Sequence, residues 1–407
     1  MQYSLAGLKK SFFVDLYTVV QSWMGFSLVF PIFAPLLFSV DDAVYFSFND
    51  SMIFKTSVLG CLYGLYGIGQ GFGVLIWSFC SRLLGKMGGQ ILWCLFMLMG
   101  YLVMSLGVYQ QHLAALFAGR LLTGIGSAAT WISQSAVLDL SEPPSKRERG
   151  KIFFTAGALA FMIGPWIGGT LSRLPWIRGT GGLIFGALFC LVHLLFILLF
   201  YQDTSKAIPP FKEKKGDQLF FRMVAQFKSK RGNRLWAIAL YFLGFMSFFL
   251  FISPFLTLNF NAIPEVLGDL YAYFLLLLVL CMTLFSPLFS LIKSDNITLL
   301  ALLVSALGIF LFSQTTLFWT LWISSPVVIF SSYAVAKGLM ETTQKEEGEQ
   351  SDSAHYAFYP IVALGSLTLS AFVLAPLLAL QTPLPLGIAS CFYLLAFLIY
   401  FVSYQRG

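Results

Sequence analysis

The chain is a succession of long apolar runs, most of them about 20 residues long, separated by short polar segments. About 20 apolar residues are needed for a helix to cross the hydrocarbon core of a bilayer. Inside lipid, a spanning helix satisfies all of its backbone hydrogen bonds within itself. The sequence therefore predicts an all-α integral membrane protein with twelve transmembrane helices, at 16–39, 56–79, 90–109, 113–137, 151–172, 180–201, 236–258, 269–291, 296–314, 317–337, 356–379 and 383–404.

The composition supports a membrane protein and argues against other classes. Hydrophobic residues make up 58% of the chain and charged residues 11%, whereas soluble domains have about 45–50% and about 25%. The net charge of +7 comes from basic residues in short segments between apolar runs, so we expect contact with lipid headgroups and not with nucleic acid. Three histidines, six cysteines without metal-ligand spacing and no Gly-x-x-x-x-Gly-Lys loop predict neither an enzyme, a metal site nor a cofactor.

The basic residues also predict the orientation in the membrane. With both termini in the cytoplasm, 21 of the 25 Lys and Arg lie on the cytoplasmic side; Lys55, Arg173 and Arg178 lie outside, and Arg120 lies within a run. Cytoplasmic loops of membrane proteins carry such an excess of Lys and Arg. The sequence thus predicts a multi-pass protein of the cytoplasmic (inner) membrane with cytoplasmic N and C termini.

The longest polar stretch divides the twelve runs into six and six. It predicts an N-terminal six-helix bundle at 1–201, a cytoplasmic linker at 202–235 and a C-terminal six-helix bundle at 236–407. The linker fits an amphipathic helix on the inner membrane face or a solvated connector equally well. Two six-helix halves are typical of secondary transporters that bind a small molecule near the bilayer midplane, and we expect a functional monomer.

The fourth and fifth runs contain the most specific patterns. Arg120 lies about two turns inside the fourth run, followed by Gly124 and other small residues. An arginine inside a bilayer is costly, which favours a role in transport or gating over a snorkelling side chain. The fifth run contains Pro165, which predicts a kink, and glycines that permit close helix packing: Gly157, Gly164, Gly168 and Gly169.

Together these segments resemble the major facilitator superfamily, in particular its twelve-helix drug:proton antiporter branch, which includes tetracycline exporters. Arg120 and Gly124 match the fourth-helix arginine motif of that branch, and Gly164-Pro165 with Gly168 and Gly169 match its fifth-helix antiporter motif. Further matches are Asp139 and the Ser145–Gly150 run of the intervening loop, the first-helix segment Gly25–Pro31, and Tyr66 and Gln70 of the second helix. The resemblance implies alternating access, in which two helical bundles expose a central site to one side at a time.

The loop after the second helix departs from the family pattern Gly-x-x-x-Asp-Arg-x-Gly-Arg. Gly85 and Lys86 are retained, but Arg82 stands where the family has an acid. In the family that acid helps to close the cytoplasmic side. We therefore expect the closing contact to use other partners, for example Arg82 with acids of the 338–355 loop.

Candidates for proton coupling are few. Asp15 lies at or just before the inner end of the first run, and His193 in the sixth has a pKa suited to proton transfer. The position of the exporters' first-helix acid falls near Ser22, beside Gln21, and neither side chain titrates. Asp15 is expected to lie at a different depth from Arg120. The alternative role for Asp15 is an interfacial charge, and the alternative role for His193 is a hydrogen-bonded packing residue.

The high aromatic content, 17% of the chain, indicates a cavity suited to hydrophobic or amphiphilic compounds. Candidate cavity residues are Gln70, Trp131, Gln134 and Phe245. The sequence thus predicts a secondary transporter of a small organic compound, with proton-linked efflux as the first interpretation. An importer of a nutrient or metal chelate is the alternative, and a non-transporting membrane receptor or scaffold is a remote one.

Overall fold

The computed structural model describes residues 5–39, 51–130, 133, 143–172, 174, 177, 179–201, 232–347 and 353–405. Within the helices of these ranges, the side chains of 5–11, 78–79, 81–82, 143–148, 288, 290, 340–347 and 353–361 are not described. In the described part of the chain the regular structure is helical, without strands. The helices are α1 (Leu5–Ser27), α2 (Phe30–Phe38), α3 (Met52–Tyr109), α4 (Leu113–Ser127), α5 (Pro143–Leu171), α6 (Gly181–Phe200), α7 (Gly232–Phe260), α8 (Pro264–Leu280), α9 (Ser286–Ser290), α10 (Ser294–Ser313), α11 (Thr320–Glu347), α12 (Ser353–Leu374) and α13 (Leu384–Gln405).

Ten helical segments in the described ranges are long and apolar enough to cross a membrane, and Leu113–Ser127 is a shorter apolar helix. The prediction of a helical, multi-pass membrane protein is therefore confirmed. The count of twelve spans and the cytoplasmic termini stay predictions. The tenth predicted run, 317–337, begins three residues before α11 and otherwise lies in it, and α11 continues into a polar C-terminal end.

The first predicted span is broken into two helices. α1 ends at Ser27 and α2 begins at Phe30, since Pro31 has no N–H to donate to the Ser27 carbonyl. Val29 accepts instead from Ile32 N at 3.0 Å and from Phe33 N at 2.9 Å. The helix α1 begins earlier, at Leu5, and the segment long and apolar enough to cross a membrane is Phe12–Phe38.

The segment predicted as a loop between the second and third spans is helical. α3 runs from Met52 to Tyr109, and its regular geometry is interrupted at Gly85, with φ 70° and ψ 178°. A glycine adopts this positive φ without the steric cost that a side chain brings. Likewise α5 begins at Pro143, so the predicted cytoplasmic loop at 145–150 is the first part of a helix.

The helices form two compact units. The N-terminal unit comprises 1–48, 61–213 and 263–269, and the C-terminal unit comprises 49–60, 214–262 and 270–407. In the N-terminal unit α1 packs against α5, α6 and α4. In the C-terminal unit α13 packs against α7 and α10, while α12 packs against α7 and α11 against α10. The division into domains at 201 and 235 stays a prediction.

Candidate functional site

Arg120 lies in α4 and is fully buried in the N-terminal unit. Its guanidinium donates to three backbone carbonyls: Nε to Leu62 O at 3.2 Å, Nη1 to Gly25 O at 3.5 Å and Nη2 to Phe26 O at 3.0 Å. Two of these carbonyls belong to the last turn of α1 and the third to α3. Arg120 thus joins three helices through hydrogen bonds to neutral acceptors.

The break between α1 and α2 explains why these carbonyls accept from a side chain. In an unbroken helix the Gly25 and Phe26 oxygens would accept from Val29 and Phe30, four residues later. The last carbonyls of a helix have no such donor. A guanidinium carries five N–H donors in a fixed plane, which allows it to serve several acceptors at once.

Aromatic rings surround the same guanidinium. The carbon atom Cζ of Arg120 lies 4.5 Å from the ring centre of Tyr66, 5.7 Å from that of Phe33 and 5.8 Å from that of Phe26. Ring faces attract cations, and more strongly where water is excluded. The arrangement keeps a positive charge inside the unit with no carboxylate in contact among the described residues.

Tyr66 links this cation to α1 at a position before the helix break. Its hydroxyl donates to Ser22 O at 3.0 Å, and the Ser22 hydroxyl donates to Ser127 O at 3.4 Å. A methyl group added at Gly124 would overlap the Tyr66 carbonyl, so the glycine permits α4 to approach α3 this closely. The sequence pattern after Arg120 therefore has a packing role beside the charge.

Gln21, beside the position where the family's exporters have an acid, forms a hydrogen bond with α6. Its Nε2 donates to the sulfur of Cys190 at 2.8 Å, and Cys94 donates to the Cys190 carbonyl at 3.2 Å. Gln21 is buried, as is Gln70 in α3. Gln21 therefore joins α1 to α6 by a hydrogen bond between neutral side chains.

His193 is buried in α6 against α1. Its Nε2 lies 3.1 Å from Thr18 Oγ1, and its ring stacks on Tyr17 with centroids 4.8 Å apart. Because the Thr18 hydroxyl donates to Val14 O at 3.0 Å, it accepts from Nε2–H, and no described residue forms a hydrogen bond with Nδ1. This is the environment of a neutral, packed imidazole.

Asp15 is buried within α1, and not at its end as the sequence predicted. Its carboxylate accepts a hydrogen bond from the side chain of Ser133 and lies within electrostatic range of Lys86. Gln90 Nε2 also donates to Ser133 Oγ. Lys86 directly follows the break at Gly85, so a retained residue of the loop motif lies within electrostatic range of Asp15.

The glycines of α5 permit close contact with α1 and with α8. A methyl group at Gly164 would overlap the Met24 carbonyl, and one at Gly168 the Leu28 carbonyl beside the α1 break. Gly157 lies against the ring of Trp23, and Gly169 against the first turn of α8. Pro165 lies inside α5 between two of these contacts.

Other predicted residues lie apart or outside the described structure. Phe245 is in α7 of the C-terminal unit, where its ring packs on Phe249 with centroids 4.7 Å apart. Trp131, Gln134 and Asp139 lie outside the described residues, and of Arg82 only the backbone is described. Reasoning from the sequence missed Phe26 and Phe33 as ring contacts of Arg120, because nothing in the sequence pairs them with it.

The fold and this site define a class of protein. The described structure is a multi-pass helical protein with a buried arginine beside a helix break and with close, glycine-permitted helix contacts, and buried charges of this kind are typical of membrane transport proteins. The sequence matches the Major Facilitator Superfamily over residues 17–344. The chain belongs to this superfamily, whose members are transporters and not enzymes.

Relatives and solved structures agree with this family. The chain is 29% identical to human Major facilitator superfamily domain-containing protein 10 over 224 residues, which cover 51% of this chain and 46% of that protein. It is 28% identical over 208 residues to the class H tetracycline resistance protein of Pasteurella multocida, covering 49% and 46%. The chain thus spans less than half the length of these curated relatives.

The whole chain is similar in fold to solved transporters. The human organic anion transporter MFSD10 matches with a TM-score of 0.67 at 18% identity, covering 98% of this chain and all of that one. The xylose transporter XylE from E. coli matches with a TM-score of 0.64 at 16% identity, covering 97% of each. At these identities the similarity establishes the fold and leaves the substrate open.

Proposed function

We propose that this chain carries a small amphiphilic organic compound across the cytoplasmic membrane by alternating access, in the direction of export and linked to protons. The proposal rests mainly on the burial of Arg120. Its guanidinium donates hydrogen bonds to backbone carbonyls and lies against the faces of aromatic rings. Charges inside membrane proteins are costly and mark substrate or ion pathways.

The names of two relatives support the substrate class. One is a tetracycline resistance protein, and the other is an organic anion transporter. Both names concern organic compounds, and the aromatic surroundings of Arg120 favour ligands with apolar rings. A small-molecule substrate of this kind is therefore the occupant we propose for the transport site.

Asp15 is our candidate for the proton carrier. Among residues whose side chains are described, it is the only acidic one that is buried. A carboxylate that accepts a hydrogen bond from a hydroxyl and lies near a lysine can carry a proton in one conformational state of the transporter. In the other state it can be ionised and pair with the lysine. His193 is a weaker candidate, because its Nε2 is committed to Thr18.

Everted membrane vesicles provide the test. We expect vesicles that contain the chain to accumulate tetracycline or carboxyfluorescein when respiration acidifies their interior, and to lose the accumulated probe when nigericin collapses the pH gradient. Vesicles with Arg120→Ala at equal protein levels should not accumulate either probe. Accumulation only in right-side-out vesicles would favour the importer, and absence of flux in both orientations would favour the non-transporting alternative.

A further inference from the structure

Three buried polar side chains of the N-terminal unit are joined by hydrogen bonds. Gln90 of α3 donates from Nε2 to the Ser133 hydroxyl oxygen, and the Ser133 side chain is in turn hydrogen-bonded to the Asp15 carboxylate of α1. All three residues are buried. We call them the Asp15–Gln90 network. It connects the proposed proton carrier to a side chain that does not titrate.

The direction of each hydrogen bond follows from the protons that the groups carry. An ionised carboxylate can only accept, so the single hydroxyl proton of Ser133 points to Asp15. The Ser133 oxygen is then an acceptor, and it receives an N–H of Gln90. In this direction Gln90 Oε1 is buried, and no described residue forms a hydrogen bond with it. A buried polar atom of this kind costs free energy and calls for an explanation.

Protonation of Asp15 reverses the network. The protonated carboxyl group donates its O–H to the Ser133 oxygen, which turns the Ser133 proton towards Gln90. Gln90 must then present an acceptor, and rotation of its amide by half a turn brings Oε1 to the place of Nε2. The reversal thus uses the atom that lacks a described partner when Asp15 is ionised. In either direction one end of the amide bonds to Ser133 and the other does not, so the two directions are closely matched in free energy.

We propose that Gln90 is a positioning residue for proton transfer at Asp15, and that its amide rotates each time Asp15 takes up or releases a proton. This inference rests on the proposed role of Asp15 as the proton carrier. A glutamine suits the task because its amide offers both a donor and an acceptor, whereas a methionine of similar length offers no donor. The rotation transmits the proton state from α1 to α3, five residues beyond the break at Gly85.

Other titratable groups face α1 without taking part in this exchange. Lys86 of α3 lies within electrostatic range of the carboxylate, and Arg149 of α5 lies over the ring of Phe12. His193 of α6 bonds to a neighbouring hydroxyl, and Arg120 of α4 contacts only the last turn of α1. Because all of these groups change the charge around α1, an observed pH dependence must be assigned with an Asp15 variant.

The test follows the side-chain amide of Gln90 by nitrogen-15 NMR as the pH is varied, on the purified full chain in lipid nanodiscs. Gln90→Met identifies the resonances. We expect them to change with pH, with the same midpoint as the infrared band of the protonated Asp15 carboxyl group. In Asp15→Asn both the band and the change should be lost.

Gln314 is a matched control in the same sample. Its Nε2 also donates to a serine hydroxyl, that of Ser313, at 3.2 Å. That hydroxyl donates to Phe310 O at 2.7 Å, a backbone carbonyl that does not take up a proton in this pH range. The Gln314 resonances should therefore stay constant with pH.

Accumulation in everted vesicles gives a second readout. We expect Gln90→Met to reduce accumulation driven by a pH gradient about 10-fold, because the Ser133 proton then lacks its acceptor when Asp15 is protonated. Ser133→Ala should cause a similar loss, with no further loss in the double variant, since both changes interrupt one network. Ser133→Thr, which keeps the hydroxyl, and Gln314→Met should accumulate the probe as the original chain does. If Gln90→Met does not fold, Ser133→Ala takes its place.

A packing role of Gln90 predicts a different result. The Asp15 band would then titrate while the Gln90 resonances stayed constant, which would overturn this inference and leave the proposed function intact. Conversely, a Gln90 response without flux of any probe would support this inference and contradict the proposed function. A response to Na⁺ at constant pH, in place of the response to protons, would indicate a metal cation held by the three side-chain oxygens and would also overturn the inference.

Discussion

At the scale of single residues, Arg120 shows how a membrane protein keeps a buried cation that no carboxylate of the described residues contacts. Its partners are supplied by a helix that stops early, because the α1 break exposes the Gly25 and Phe26 carbonyls. Three rings cover the rest of the guanidinium. The charge is thus stabilised by groups that are themselves fixed in the backbone and the packing.

Replacing Arg120 separates charge from geometry. A lysine retains the charge but lacks the planar fork that reaches carbonyls on two helices. We expect Arg120→Lys to fold and to lose transport at least about 10-fold, and Arg120→Ala also to lose about 1–3 kcal/mol of stability for an orphaned carbonyl. Vesicle transport and thermal unfolding measure these effects. Lys151→Ala, an exposed basic residue of α5, is the control, and full transport by Arg120→Ala would contradict the assignment.

Asp15 and His193 are both buried, but we expect only Asp15 to exchange a proton during transport. Asparagine has the shape of protonated Asp15 but cannot release the proton. We expect Asp15→Asn to abolish accumulation driven by a pH gradient while substrate still stabilises the protein against heat. His193→Gln should retain the response to the gradient, because its contacts with Thr18 and Tyr17 are those of a packing residue. A normal gradient response in Asp15→Asn would exclude it as the proton carrier.

At the scale of helices, the glycines of α5 set how closely it approaches α1. We expect Gly164→Ala and Gly168→Ala each to cost about 1–3 kcal/mol, because the added methyl groups would overlap carbonyls of α1 that cannot move aside easily. Gly71→Ala and Gly365→Ala are matched controls in helices, since an added methyl meets no atom within 4 Å. These should be neutral or stabilising by up to about 1 kcal/mol. Thermal unfolding of all four variants in one detergent distinguishes the two outcomes.

The positions of the apolar helices could be read from the sequence, but their breaks and ends could not. Apolar length indicates a span, whereas α1 extends to Leu5 and α5 to Pro143 through residues that lie beyond the apolar runs and include several charged ones. Gly85 was recognised as part of a loop motif. The sequence did not indicate that the chain would be helical on both sides of Gly85, with a single residue of positive φ where a loop was predicted.

Sequence reasoning found Arg120 because a charge stands out in an apolar run, and it could not find the partners. The three carbonyls lie 58, 95 and 94 residues from Arg120 along the chain, and a carbonyl has no sequence signature. Phe26 and Phe33 are two among 43 phenylalanines. Contacts of this kind depend on which helices become neighbours, which one sequence does not specify.

At the scale of the whole molecule, the charge distribution predicts the topology, and single cysteines can test it. The six native cysteines are first replaced, and one cysteine is then placed at Lys9, Lys55, Lys212 or Arg406. A membrane-impermeant maleimide should label the position of Lys55 in intact cells, and the other three only after permeabilisation. The reason is that Lys and Arg are retained on the cytoplasmic side during insertion.

The outcome at the two ends decides the parity of the span count. Cytoplasmic cysteines at both Lys9 and Arg406 require an even number of crossings, which twelve satisfies and eleven does not. Labelling at Lys212 then tests the first half separately, since an internal position there requires an even number of spans before it. If Arg406→Cys were labelled in intact cells while Lys9→Cys was not, the chain would cross the membrane an odd number of times. At least one of the twelve predicted apolar runs would then not span the membrane and would have to lie along its surface.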